Sequence, residues 1–208
     1  MISKGGLLAA VRLLGHAMLL GATVVRLFLH FKRKQPTGNY KIFDATLAIG
    51  LVLLLLSHFV LTLFYVPSRS MLPTLEVHDG IAVSRLSYWF RPPAVGDVVV
   101  FWLPTDRPGG GRDLVKRMVA NEGDTIRLEQ GMLYRNDEQQ PSLPSADINY
   151  ASHQVAPGCI FVLGDNRGNS VDSRVFGDVR KSWLYGPAVC RYWPLGRVGR
   201  LAAAPSTW

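Results

Sequence analysis

The chain has 208 residues, 48 % of them apolar, and a formal charge of +8, enough for one domain with its own core and something more. The charge is uneven: residues 1–41 hold seven Lys or Arg and no acid, whereas residues 42–208 hold 16 against 15. The body of the protein is therefore close to neutral, and with no zinc-finger, helix-turn-helix or RNA-binding aromatic motif beside the basic arm, a nucleic-acid partner is not expected.

The first apolar stretch is Gly5–His30. Arg12 and Arg26 leave 13 uncharged residues between them, so a membrane span and an interfacial helix with snorkelling arginines both stay open. His30–Lys41 follows as a short loop with four positive charges. From Ala45 to Val66 run 22 residues without a formal charge, mostly Leu, Val, Ile, Phe and Ala. At roughly 1.5 Å per residue this predicts a helix able to cross a hydrocarbon core of about 30 Å. It starts too late to be a cleaved signal peptide. The positive-inside rule puts the basic loop in the cytoplasm and everything after Val66 on the trans side. The expected organisation is a membrane-associated segment and basic loop over residues 1–43, a transmembrane helix over 44–66 and a trans-side domain over 67–208, with a lipid bilayer as partner.

Beyond Pro67 the pattern changes to short apolar runs bounded by Gly, Pro, Asn and Asp: Gly80–Val83, Asp97–Leu103, Leu114–Ala120, Thr125–Leu128, Met132–Tyr134, Cys159–Leu163 and Gly186–Trp193. Runs of this length predict the strands of a mainly β domain. The segment Asn136–Ser152 reads as an excursion from it. Cys159 and Cys190 both fall in strand-like runs, with no further Cys or His at zinc-ligand spacing, so no metal site is expected and their pairing stays open.

Two serines, Ser68 and Ser70, stand directly after the apolar helix in the Pro-bounded stretch Val66–Leu75. Serine beside proline is ordinarily a turn residue, so Ser70 needs an activating group before it counts as a nucleophile. There is no Gly-x-Ser-x-Gly elbow, and of the five histidines His16 and His58 lie near or within the apolar segments. Lysine is the better candidate. Alternation along Asp113–Ala120 sets Leu114, Lys116 and Met118 on one face of a strand, which places an amine among apolar neighbours. A free lysine titrates at about 10.4, so a base role requires burial to lower it by roughly three units. Snorkelling, or pairing with Asp113, is the competing reading.

Pro67-Ser-Arg-Ser-Met-Leu-Pro-Thr-Leu75, Lys116-Arg-Met-Val and Gly164-Asp-Asn-Arg-Gly-Asn-Ser-Val-Asp-Ser-Arg174 resemble, in order, the motif blocks of type I signal peptidases, over about Phe64 to Pro194. The resemblance implies a β-rich signal-peptidase-like catalytic domain, anchored by one or two N-terminal transmembrane helices. It also implies a membrane-bound endopeptidase that removes signal peptides from exported preproteins through an acyl-enzyme, without cofactor or metal. The expected place is a bacterial inner (plasma) membrane, with the catalytic domain on the extracytoplasmic side near the secretion translocon.

Residue by residue, the resemblance makes Ser70 the nucleophile and Lys116 the general base. Ser68, with the Ser70 backbone N–H, becomes the oxyanion hole. Ser170 is expected to hydrogen-bond the Lys116 amine, Asp172 and Arg174 to form an ion pair beside it, and Asp165 to support the site. Phe64, Val66, Ile81, Leu114 and Val115 match the walls of shallow apolar pockets for small side chains. The chain departs from the usual pattern at His78, Gly80 and Asn121-Glu122, which bears on pocket shape. The alternatives are a specialised conjugative-transfer or pilin-maturing peptidase of the same family, a serine–histidine mechanism through His153 or His78, and a catalytically silent precursor-binding membrane protein.

Overall fold

The computed structural model describes residues 48–50, 60–107, 109–141 and 148–201. The chain divides into two units, Met1–Leu55 and Leu56–Trp208; in the first, residues 48–50 are helical. Most of the stretch expected to span a membrane, and all of the earlier apolar stretch, lie outside the described residues. Among the described residues no helix is long and apolar enough to cross a membrane.

The second unit is built from strands β1 (Leu61–Tyr65), β2 (Gly80–Ser84), β3 (Val98–Pro104), β4 (Gly111–Asn121), β5 (Thr125–Glu129), β6 (Met132–Arg135), β7 (Glu138–Gln139), β8 (Tyr150–Gln154), β9 (Cys159–Leu163), β10 (Val179–Arg180), β11 (Leu184–Trp193) and β12 (Gly199–Arg200). Among the described residues two single-turn α-helices interrupt them, α1 (Ser87–Phe90) and α2 (Ser173–Phe176). The larger sheet runs β1-β2-β11-β3-β4-β9-β10, with β12 attached to β11; the smaller runs β7-β6-β5-β8. All seven runs predicted as strands are strands.

The structure corrects the sequence reading at the end of the apolar run. Leu61–Tyr65 is not the last part of a helix but an edge strand, antiparallel to β2 with Leu63 opposite Ala82 and Tyr65 opposite Gly80. Its outward residues Leu61, Leu63 and Tyr65 are as apolar as its inward Phe64, so the period-two signal is invisible in composition. Asn136–Ser152 is likewise not wholly an excursion: β7 lies within it and β8 begins there, held by pairing with β5 and by Tyr150 against Phe161, ring centroids 5.6 Å apart.

Among the described residues three apolar clusters fill the domain. The first joins Val66, Met71 and Leu75 to Ile81, Val83, Val98, Val100 and Ala188, so the segment between β1 and β2 is itself a core element. The second lies beneath the small sheet around Ile126, Leu128 and Phe161. The third packs Val99, Phe101 and Met118 against Ile160 and Val162. Burying a side chain of this size stabilises by about 1.5–3 kcal/mol, so Met71 and Leu75, both fully buried, anchor the loop that carries Ser70.

Candidate active site

The Ser70 loop is closed at its ends and pinned in its middle. Val66 N–H donates to the Asp79 carbonyl and His78 N–H to the Val66 carbonyl, each at 2.9 Å, while Leu75 N–H donates to Met71 at 2.9 Å. Asp79 is buried, accepts from the Glu76 N–H at 2.8 Å and faces the guanidinium groups of Arg191 and Arg197. His78 has φ 77°, a left-handed conformation that glycine adopts most readily, and its ring stacks on Tyr65. Gly80, the second departure, is covered by the Tyr192 ring, where a Cβ would come within 2.6 Å.

Lys116 reaches this loop from the middle of β4. The register sets it opposite Val99, two residues from the Leu114–Phe101 pair, and Leu114 and Met118 pack in the same cluster, as alternation predicts. Its Nζ donates to Ser70 Oγ at 2.7 Å, and Ser68 Oγ stands 3.2 Å from the same oxygen. Lys116 is 3 % exposed. Burial lowers its ammonium to about 8; the Asp172 charge opposes that shift, Arg112 adds to it, and Asp165 again opposes.

Those carboxylates are already engaged. Asp165 takes a two-pronged ion pair from Arg117, Nε to Oδ1 and a terminal nitrogen to Oδ2, both at 2.7 Å, and accepts from Thr74 Oγ1. Asp172 is fully buried, binds Arg174 through both oxygens at 2.8 Å and accepts from the Gly164 N–H at 3.0 Å. The expected Asp172–Arg174 pair is therefore present. The expected bond from Ser170 to the Lys116 amine is not: Ser170 Oγ is buried with no hydrogen-bond partner among the described residues. It packs instead against Gly164, whose missing Cβ would fall 2.2 Å from Ser170 Oγ and 2.6 Å from the Ser70 carbonyl oxygen.

Beside Ser68, Ser70 and Lys116 lies a cavity of about 50 Å³ that Phe64, Ile81, Leu114 and Val115 help to line. Val66, expected with them, is not in this wall; it is buried in the first cluster. Asp113 lies at the rim and accepts from Tyr185 O–H at 2.9 Å, so it is not the partner of Lys116. His153 is bound to Asp178 at 2.8 Å, and Ser70 Oγ has Lys116 and Ser68 as its partners. Cys159 and Cys190 are both free thiols.

Sequence reasoning gave no role to Arg117 or Thr74, and it took Asn166 only as part of the polar turn of the Gly164–Arg174 block that supports the site through geometry. Arg117 carried one signal: a charged residue next to Lys116 inside an apolar strand must find an acid if buried. Asn166 carried the signal of its motif block but not of its partners, the distant Arg69 and Ser70 carbonyls.

Comparison with known proteins agrees with the motif resemblance. The family described as "Signal peptidase, peptidase S26" matches residues 39–193. Signal peptidase I of Leptolyngbya laminosa is 35 % identical over 182 residues, covering 83 % of this chain and 90 % of that protein. Probable signal peptidase I-1 of Synechocystis sp. is 40 % identical over 165 residues, 76 % and 84 % of the two chains. Signal peptidase I of Bacillus caldolyticus is 35 % identical over 153 residues, 65 % and 81 %.

Proposed function

As the chain belongs to the signal peptidase family, peptidase S26, we propose that Ser70 is its nucleophile and Lys116 its general base. The enzyme is a serine endopeptidase that removes signal peptides. The observation that carries the assignment of residues is the 2.7 Å contact between Lys116 Nζ and Ser70 Oγ, with both groups buried.

With a value of about 8, roughly a tenth of Lys116 is neutral at pH 7, against about three molecules in ten thousand for a lysine at 10.5. In the neutral form the same contact runs the other way, the Ser70 hydroxyl donating to the amine. As Oγ attacks the scissile carbonyl, Lys116 takes the hydroxyl proton. The oxyanion is met by the Ser68 hydroxyl and the Ser70 backbone N–H. Collapse of the intermediate breaks the C–N bond, Lys116 returns the proton to the leaving amine, and the acyl group remains on Ser70. Lys116 then deprotonates the water that releases it.

The cleft supports an extended substrate. Among the described residues Gly111–Lys116 pairs with β3 alone, since β9 takes up the strand only from Arg117, so that half of β4 offers an unpaired edge to a peptide. Alternate side chains of an added strand would enter the cavity, whose size suits residues such as alanine one and three places before the cut. Phe64, Ile81, Leu114 and Val115 would form its walls.

Because Leu61–Tyr65 belongs to the sheet, a shorter apolar run is left for the bilayer. Only Ala45–Val60 remains of the uncharged run, roughly 24 Å as a helix, short of a hydrocarbon core of about 30 Å. Val60 accepts from the Arg85 N–H at 3.0 Å, so α1 begins close to where that run enters the sheet. There Trp89 and Phe90 are 82 % and 84 % exposed, while Tyr88 and Arg91 brace the turn on Asp97. Aromatic rings flanked by arginines suit a headgroup layer. With the basic loop inside, the catalytic domain faces the extracytoplasmic side of a plasma membrane, close to where a translocon delivers preproteins.

The test is cleavage of a precursor ending its signal in Ala-x-Ala by the full chain in liposomes. Wild type is expected to cut after the second alanine and Ser70→Ala to leave the precursor intact; cleavage by Ser70→Ala would refute the assignment.

A further inference from the structure

Ser70 is held from both sides by one residue of a distant loop. The Asn166 backbone N–H donates to the Ser70 carbonyl at 3.0 Å, and Asn166 Nδ2 donates to the Arg69 carbonyl at 3.1 Å. These two carbonyls belong to the two peptide units that flank the Ser70 Cα. The loop is pressed against them closely enough that Gly164 could not carry a side chain, and Asp165, tied to Arg117 and Thr74, fixes it from below.

The Arg69 carbonyl and the Ser70 N–H are the two ends of a single amide. A donor placed on the oxygen of an amide polarises it and strengthens its N–H as a donor, and it also fixes the plane in which that N–H points. The other partner of this oxygen, the Leu72 N–H at 3.3 Å, is local to the turn and longer. From this geometry we infer that Asn166 is a positioning residue for the oxyanion hole: its carboxamide orients and polarises the amide whose N–H meets the oxyanion. The inference rests on the assignment of Ser70 as nucleophile. Asn166 touches no reacting atom, so its effect falls on the transition state, in which the oxyanion bond is strongest, and not on ground-state binding.

The experiment measures kcat and KM for precursor cleavage by the full chain in liposomes, for wild type, Asn166→Leu and Asn166→Ala, with Ser70→Ala in parallel. Leu keeps the size of the side chain and removes its donor; both variants keep the backbone bond to Ser70. Kcat is expected to fall about tenfold or more in both, less than the 10²–10³ of losing an oxyanion donor outright. KM should stay within about threefold, the midpoint of the pH–rate profile should not move because Lys116 is untouched, and thermal midpoints should stay within a few degrees. Kcat within about twofold of wild type, a loss confined to KM, a displaced pH midpoint or loss of the fold in both variants would each overturn the inference. If Ser70→Ala cleaves, the nucleophile assignment falls and this inference with it; if Ser70→Ala is inert and the Asn166 variants are fully active, this inference alone falls.

Discussion

Lys116 Nζ lies 2.7 Å from Ser70 Oγ although the residues are 46 apart and sit on separate elements, one mid-strand and one on a core-anchored loop. Two buried carboxylates, Asp165 and Asp172, act on the amine, yet each is bound by its own arginine. That neutralisation lets burial prevail, and the ammonium becomes a weaker cation than an ordinary lysine.

The cleavage rate should therefore rise with pH. The base must be neutral, so kcat/KM is expected to climb about tenfold per unit below pH 8 and level off above it. A pH–rate profile between 6 and 10 on a precursor without titrating groups near the cut checks this; a flat profile would contradict it.

The same residue should weaken the fold at neutral pH. Lys116 releases its proton at about 8 when folded but near 10.5 when unfolded, so the unfolded chain binds more protons between those values. Stability then rises with pH across that window and is lowest below 8. Lys116→Met is expected to abolish cleavage yet raise stability at pH 7 by up to about 3 kcal/mol, with the gain shrinking above pH 8. Denaturant titrations at pH 7 and 9.5 measure both.

Much of this was legible in the sequence, for identifiable reasons. β2 to β6, β9 and β11 show as apolar runs because turn residues bound them, and Leu114 and Met118 pack as alternation predicts. β1 stayed hidden because its outer face is also apolar, and β8 because its residues, Tyr-Ala-Ser-His-Gln, carry little hydrophobic pattern. Ser70, Ser68 and Lys116 come together as expected. What spacing could not show is which polar groups meet across the fold: Arg117 with Asp165, Asn166 with Arg69, and a Ser170 hydroxyl that does not reach Lys116.

Removing the second oxyanion donor should slow catalysis without loosening the substrate. Ser68→Ala is expected to lower kcat by about 10²–10³ with little change in KM. Steady-state kinetics at saturating precursor decide it; a change in KM alone would mean that Ser68 only lines the cleft.

Breaking the Asp172–Arg174 pair should be costly, since Asp172 is fully buried and makes four hydrogen bonds. Asp172→Asn is expected to destabilise by about 3 kcal/mol by leaving the largely buried Arg174 guanidinium without its counter-charge. Its charge also raises Lys116, so in the folded fraction the pH–rate midpoint should move below that of wild type. Calorimetry and the pH profile test the two effects separately.

The most direct test of the Ser70–Lys116 assignment is the residual cleavage rate of Ser70→Ala, Lys116→Met and the double variant, each folded as judged by thermal melting. Groups that act as one unit are not additive, so all three are expected to fall to the same background. Activity surviving in Lys116→Met, or a double variant far slower than either single one, would contradict it.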